Sequence, residues 1–302
     1  MLPAETVIIA GPTGAGKTSL AIGLAELLNG EIVGADAFQI YRGLPLLTAQ
    51  PTDAEQARIR HHLVGSVDPS ESYDAGRYLR EALPVLRDIV ARGKVPLVVG
   101  GTGLYMKALL GGLEELPGQD PVLRTSFAGM KLEALSRRLH ELDPAAGPTI
   151  DLANRRRVER ALEIVTLTDR PLATSRTGPR KPPPGVRFLL VERDREDLRE
   201  RIATNVAAMF DRGVEEEVAA LAVEKIGPTA AMTLGLREIQ SLLRGEVGRR
   251  EVIDTITAST RRYAKRQLTW FRNQHDSALV NLSRFSTSRE MVEDAMRLLA
   301  VG

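Results

Sequence analysis

The segment Gly11-Pro12-Thr13-Gly14-Ala15-Gly16-Lys17-Thr18 constrains this chain more than any other. It fits G-x-x-x-x-G-K-[ST] and stands between two runs of opposite texture. Residues 6–10 before it are β-branched and apolar without alternation, which predicts a short buried strand. Residues 18–28 after it have helical spacing and end before Asn29-Gly30. In such a turn, glycines let backbone N–H groups converge on phosphate oxygens, and the helix N-terminus adds a favourable dipole. Gly11, Thr13, Gly14, Ala15, Gly16, Lys17 and Thr18 are therefore candidate phosphate-binding residues. Lys17 would neutralise phosphate charge, and the Thr18 hydroxyl would ligate Mg2+. The pattern calls for a phosphorylated ligand without saying whether that ligand is a nucleotide.

Residues 31–35 read as a second strand ending at Asp36, residues 75–92 as a helix, and residues 95–99 as a third buried strand. Strand alternating with helix predicts an α/β fold, a P-loop NTPase-like parallel sheet with flanking helices. Texture changes after residue 117, where Arg-rich helical segments replace buried strands until Arg180-Lys181-Pro182-Pro183-Pro184-Gly185, a stiff stretch suited to a boundary. The expected domains are a P-loop core at 1–117, a helical insertion domain at 118–185, and a returning strand with C-terminal helices at 186–302. The segment after Asn281 reads as a final helix of no evident chemistry. The 302 residues include no cysteine, which excludes disulfides, iron–sulfur clusters and thiolate catalysis together. Of four histidines, His61 and His62 are adjacent, unlike a helical metal pair. Neither a positively charged leader nor an apolar run of about 20 residues is visible, so a cytoplasmic protein with no membrane contact is expected. A formal charge of +2 leaves nucleic-acid binding to be judged from clusters of basic residues.

Ligands of parallel sheets bind at the carboxyl ends of strands, and Asp36 lies at such an end. It reads either as a general base facing the phosphate loop or as a structural Asp capping the next turn.

A family resemblance enters on longer strings. Asp36-Ala37-Phe38-Gln39-Ile40-Tyr41-Arg42-Gly43 and Thr48-Ala49-Gln50-Pro51-Thr52 resemble the D-S-x-Q-x-Y-R-G and T-A-K-P-T segments of tRNA dimethylallyltransferases. Val98-Val99-Gly100-Gly101-Thr102-Gly103-Leu104-Tyr105 is similar to their V-V-G-G-T-G-L-Y. Thr260-Arg261-Arg262-Tyr263-Ala264-Lys265-Arg266-Gln267-Leu268-Thr269-Trp270-Phe271-Arg272 is similar to their T-R-x-Y-A-K-R-Q-x-T-W-F-R. The matches are collinear over about residues 5–275. The resemblance implies a loop that holds the diphosphate of dimethylallyl diphosphate with Mg2+. It also implies Asp36 as general base and Thr102 as a substrate contact beside the diphosphate. The implied reaction moves a dimethylallyl group to N6 of the tRNA adenosine immediately 3′ of the anticodon. Departures stand at Ala37 for the usual Ser, Gln50 for the usual Lys, and Leu152-Ala153-Asn154 for Pro-Asn-Asp.

The implied RNA partner is the anticodon stem-loop, whose target base must leave the stack. The resemblance places Asp36, Ala37, Phe38 and Gln39 at the base, with Gln39 reading an adenine edge. It assigns Arg124, Arg156, Arg157, Val158, Glu159 and Arg160 of the insertion to RNA, and adds Arg237, Lys265 and Arg266. In the 260–272 helix, Arg261, Arg262, Lys265, Arg266 and Arg272 share one face. Tyr263, Ala264, Gln267, Leu268 and Phe271 share the other, which suits a core, so the basic face is either an RNA surface or a solvated one. Three other readings compete: a small-molecule kinase, an enzyme prenylating free adenine nucleotides, and an RNA-binding protein with a vestigial loop. A monomer is the default expectation.

Overall fold

The computed structural model describes residues 2–111, 117–118, 120–172, 182–221, 225–273 and 278–301. In chain order the elements are β1 (Val7–Ala10), α1 (Lys17–Leu27), β2 (Gly30–Gly34), α2 (Asp53–Arg58), β3 (His61–His62), α3 (Ala75–Ala91), β4 (Val95–Gly100) and α4 (Gly103–Gly111). Then follow α5 (Pro121–Ala128), α6 (Leu132–Leu142), α7 (Arg155–Thr168), β5 (Arg187–Glu192), α8 (Arg195–Asp211), α9 (Val214–Ala219), α10 (Leu236–Leu243), α11 (Arg249–Arg272), β6 (Ala278–Asn281) and α12 (Ser288–Val301). The chain forms two compact units, Met1–Gly111 with Arg180–Gly302, and Gly112–Pro179. The sequence reading drew the insertion at 118–185. Of its proline-rich boundary, residues 180 and 181 lie outside the described residues.

The larger unit is built on a six-stranded sheet of order β3-β2-β4-β1-β5-β6, with every neighbouring pair parallel. β1 is wholly buried because β4 and β5 flank it, with Ile8 opposite Val98 and Phe188. Its side chains alternate between faces. Val7 and Ile9 join Leu20, Leu24, Leu97, Val191, Val292 and Leu299 in one apolar cluster, so α1 and α12 cover that face together. α3 lies against β2 and β4 and packs on α4, while α8 packs on α11. Each fully buried Leu, Ile or Val of this core contributes about 1.5–3 kcal/mol relative to exposure. Among the described residues, no helix is long and apolar enough to cross a membrane.

Two strands differ from the sequence expectation. β3 is only the His61-His62 pair, an edge strand, where His62 Nε2 meets buried Glu31 at 2.8 Å. β6 at Ala278–Asn281 precedes the terminal helix and pairs with β5. β3 is only two residues long, and β6, in which Val280 alone is buried, lacks the uniformly buried apolar run that marks the equally short β1.

The smaller unit is helical. Phe127, Leu135, Leu139, Val158, Leu162, Val165 and Leu172 form its core between α5, α6 and α7. Glu163 is completely buried. Its carboxylate takes the Asp120 amide at 2.8 Å, Arg124 Nε at 3.1 Å and Arg160 Nη1 at 2.6 Å. Burial alone would push this carboxyl up, but the two guanidiniums and the amide outweigh it and hold it below the usual range. Glu163→Ala would strand both guanidiniums. Because these are 39% and 33% exposed, the expected loss is about 2 kcal/mol, under the roughly 3–5 kcal/mol of a fully buried pair. Urea unfolding of the variant measures it.

Candidate active site

Four carboxyl ends of the sheet converge: β1 feeds the phosphate loop, β2 feeds Asp36, β4 feeds Thr102 and β5 feeds Arg193. Ala35 N donates to Val99 O at 2.8 Å, and Thr102 N donates to Ala35 O at 3.2 Å, which locks the β2 and β4 ends together. A cavity of about 250 Å³ opens above them. Its walls include Thr13, Gly14, Gly16, Lys17 and Thr18 on one side and Asp36, Phe38 and Gln39 on another. Leu46, Leu47, Ile202, Val206, Met209, Leu234 and Ile256 supply an apolar patch, while Thr48, Arg201, Asn205, Thr233, Thr260 and Tyr263 add polar groups.

The loop turns through left-handed Gly16 (φ 95°), the N-cap of α1, a conformation that a β-carbon disfavours. Lys17 Nζ donates to the Pro12 carbonyl at 2.8 Å. Burial pushes the Lys17 ammonium down to about 8, opposed by the charge of Asp36. Three expected phosphate ligands serve elsewhere. The Thr13 amide donates to Gln267 Oε1 at 2.9 Å, and the Ala15 amide to Pro12 O at 3.3 Å. Gly11 is glycine because β5 runs so close that a β-carbon would collide with the Val191 carbonyl. The amides of Gly14, Gly16, Lys17 and Thr18 remain at the start of α1, where helical N–H groups lack intrahelical acceptors.

Asp36 combines both roles weighed for it. Oδ1 accepts from Phe38 N at 3.0 Å and Gln39 N at 3.4 Å, which is the turn cap, while the residue also lines the cavity. Thr102 is not in the cavity wall. Its Oγ1 accepts from the Ala37 amide at 2.9 Å and so steadies the segment carrying Asp36. Gln39 is tied down, with Nε2 donating to Ala49 O at 2.7 Å and Thr48 O at 3.2 Å. A bidentate grip on adenine needs that amino group, so Oε1 is what Gln39 has left to offer a base. Tyr263, read as a core residue, lines the cavity instead, its ring 6.1 Å from that of Phe38. Burial and the Asp36 charge raise its phenol above the usual value.

Two cations were not foreseen. Arg193 Nε donates to Ala15 O at 2.8 Å, and Arg201 Nε donates to Gly14 O at 3.2 Å. A β-carbon built on Gly16 would lie 3.5 Å from Arg193 Nη2 and 3.9 Å from Arg201 Nη2. Burial, and then the charge of Arg193, lowers Arg201 from its ordinary value. Arg193 is aimed by Asp197 at 2.7 Å, and Asp197 in turn accepts from the Ser283 hydroxyl beyond β6. The missed signal was the four-residue step Arg201, Asn205, Met209 with Ile202 and Val206 beside it, one stripe of α8 that lines the cavity.

The expected RNA residues divide. Arg237, Lys265 and Arg266 are exposed in the larger unit, and Arg266 lies 5.7 Å from the Tyr263 ring centre. In the smaller unit, Arg156 and Arg157 are exposed. Val158 is in the apolar core and cannot touch RNA through its side chain. Arg124 and Arg160 grip Glu163, and Glu159 pairs with Arg155 at 2.8 Å. These ion pairs brace the unit, a structural part that the expectation of RNA contact did not include.

Lys17 is charged below about pH 8 and neutral above it. Binding of inorganic diphosphate should weaken above that pH by up to about tenfold per unit, and Lys17→Arg, charged throughout, should lack this dependence. Titration calorimetry across pH 7–10 is the measurement.

The IPP transferase family model matches residues 39–274. A protein of Akkermansia muciniphila named tRNA dimethylallyltransferase is 41% identical over 297 residues, covering 97% of this chain and 99% of its own length. The full-length tRNA isopentenylpyrophosphate transferase of Bacillus halodurans superposes with TM-score 0.71 at 32% identity, covering 99% of this chain and 98% of that one. A eukaryotic dimethylallyltransferase acting on tRNA gives TM-score 0.83 at 26% identity, covering 96% and 77%. A family match over most of the residues and a relative aligned almost end to end lead to one conclusion: this chain belongs to the IPP transferase family.

Proposed function

We propose that this chain is a tRNA dimethylallyltransferase that uses dimethylallyl diphosphate to alkylate N6 of the adenosine immediately 3′ of the anticodon, acting as a cytoplasmic monomer. The observation that carries the reading is the opposition of Asp36 to a cluster of cations across a small cavity that also has an apolar patch of Leu46, Leu47, Ile202, Val206, Met209, Leu234 and Ile256. Lys17, Arg193 and Arg201 suit a diphosphate. The leucine, isoleucine, valine and methionine side chains suit a branched five-carbon chain.

In the reaction, the allylic C1–O bond breaks with its electron pair leaving on diphosphate, and the N6–C1 bond forms. An N6 hydrogen passes to Asp36, which raises electron density on a nitrogen otherwise delocalised into the ring. Lys17, Arg201 and the amides at the start of α1 stabilise the charge growing on the leaving group. Apolar side chains keep water from the cation-like carbon, which water would otherwise capture.

The Thr18 hydroxyl and the Asp36 carboxylate border the same cavity, and Mg2+ typically takes one or two protein oxygens plus phosphate oxygens and water. These residues therefore fit the ion, with Thr18 as its proposed ligand. Bound there with the donor, Mg2+ would neutralise diphosphate charge.

Labelled dimethylallyl diphosphate offered separately to total tRNA, AMP and ATP tests the proposal. Label on tRNA alone is expected; label on AMP would replace the acceptor, and no label anywhere would defeat the reading. Asp36→Ala should lower turnover by about a hundredfold or more while tRNA affinity, measured by filter binding, holds.

A further inference from the structure

α11 carries two kinds of residue on opposite sides. Arg262, Lys265 and Arg266 are exposed, while Gln267, one residue on, is buried at 6% exposure. Its side chain spans two of the strand ends that form the site. Oε1 accepts the Thr13 amide at 2.9 Å, and Nε2 donates to the Gly101 carbonyl at 2.9 Å. The Tyr263 hydroxyl also interacts with Gln267 and with Thr102. A β-carbon at Gly101 would lie 2.2 Å from the Gln267 amide nitrogen, so glycine at this position is what leaves room for the bridge.

An amide is the group that meets both demands at once. The Thr13 N–H needs an acceptor and the Gly101 carbonyl needs a donor, and a primary carboxamide supplies one of each. The consequence for the loop is directional. Thr13 directs its N–H to the Gln267 side chain, so a residue of α11, and not the loop alone, helps to set the conformation of the phosphate cradle. The opposite end of the same bridge leads into Thr102, which holds the Ala37 amide next to Asp36. One side chain thereby links the phosphate loop to the strand end next to the Asp36 segment.

We propose that Gln267 is a positioning residue that registers the phosphate loop against the Asp36–Thr102 segment and ties both to the helix bearing Lys265 and Arg266. This rests on the functional reading above and adds to it a residue for donor affinity that touches neither substrate. It predicts a selective defect. Gln267→Leu, close in shape but unable to bond either partner, should raise the KM for dimethylallyl diphosphate by about tenfold or more, with the KM for tRNA changed by less than about twofold.

Gln267→Glu supplies the rescue. Ionised, its carboxylate still accepts from Thr13 but repels the Gly101 carbonyl. Protonated, it both accepts and donates as the amide does, and burial favours the protonated form. Relative to the parent enzyme at each pH, the donor KM of Gln267→Glu should therefore improve as pH falls from 8 to 6, while that of Gln267→Leu should not.

Donor KM unchanged in Gln267→Leu would overturn the proposal. So would an equal loss for donor and tRNA accompanied by a lowered melting temperature, since that marks a residue needed only for folding. If the parent enzyme transferred nothing to tRNA, the functional reading would be at fault. Calorimetry with inorganic diphosphate on the same variants would still decide the role of Gln267, with about tenfold weaker binding supporting it and equal binding refuting it.

Discussion

Positive charge gathered at one turn of backbone is what the rest of this molecule has to accommodate. Lys17 belongs to the Gly14–Thr18 turn, and Arg193 and Arg201 reach its Ala15 and Gly14 carbonyls, with Asp197 engaged by Arg193 and Asp36 standing across the cavity. Burial has already lowered Lys17 and Arg201 from their ordinary values. Like charges in a partly desolvated site repel one another, and an arriving anion relieves that repulsion. The fold holds this arrangement because β1 is clamped between β4 and β5 and cannot shift without breaking two ladders.

From that clamp the site follows outward. Parallel strands end on the same edge, so Asp36, Thr102 and Arg193 reach the loop without any one of them being near it in sequence. Helices then finish what strands begin. α8 supplies Arg201 and an apolar stripe, and α11 supplies Tyr263 and Gln267. Several family strings are thus understood as contacts with each other. The Gly101 of one string is shaped to receive the Gln267 of another, and the Thr102 hydroxyl receives the amide of Ala37 from a third. Gln50, one of the departures from the resembled strings, donates to the Tyr41 carbonyl at 2.7 Å and so serves the loop's own folding.

How much was legible in the sequence follows from how each feature is encoded. β1, β2 and β4 showed because buried parallel strands leave apolar runs, and the loop showed because glycine spacing is rigidly specified. β3 is a two-residue pair, and β6 is a mostly unburied edge with no continuous apolar run. Arg193 and Arg201 were hidden among many arginines whose roles differ only in three dimensions. Periodicity reported Tyr263 as inward-facing but could not tell a core from a cavity, since both exclude bulk water. For the same reason the run Arg155-Arg156-Arg157 looked uniform. Arg155 in fact turns in to cap α5 through the Phe127 and Met130 carbonyls, and its two neighbours turn out.

The bond between Thr13 and Gln267 joins residues 254 apart in the chain. During synthesis the anion-binding turn emerges early, but the partner that aims its first amide emerges very late, as do Ser283 behind Arg193 and the α12 side chains that cover α1. A nascent chain can therefore display the loop's residues long before it can grip a ligand with them. Competence has to wait until α11, β6 and α12 dock, and contacts of such long range form slowly.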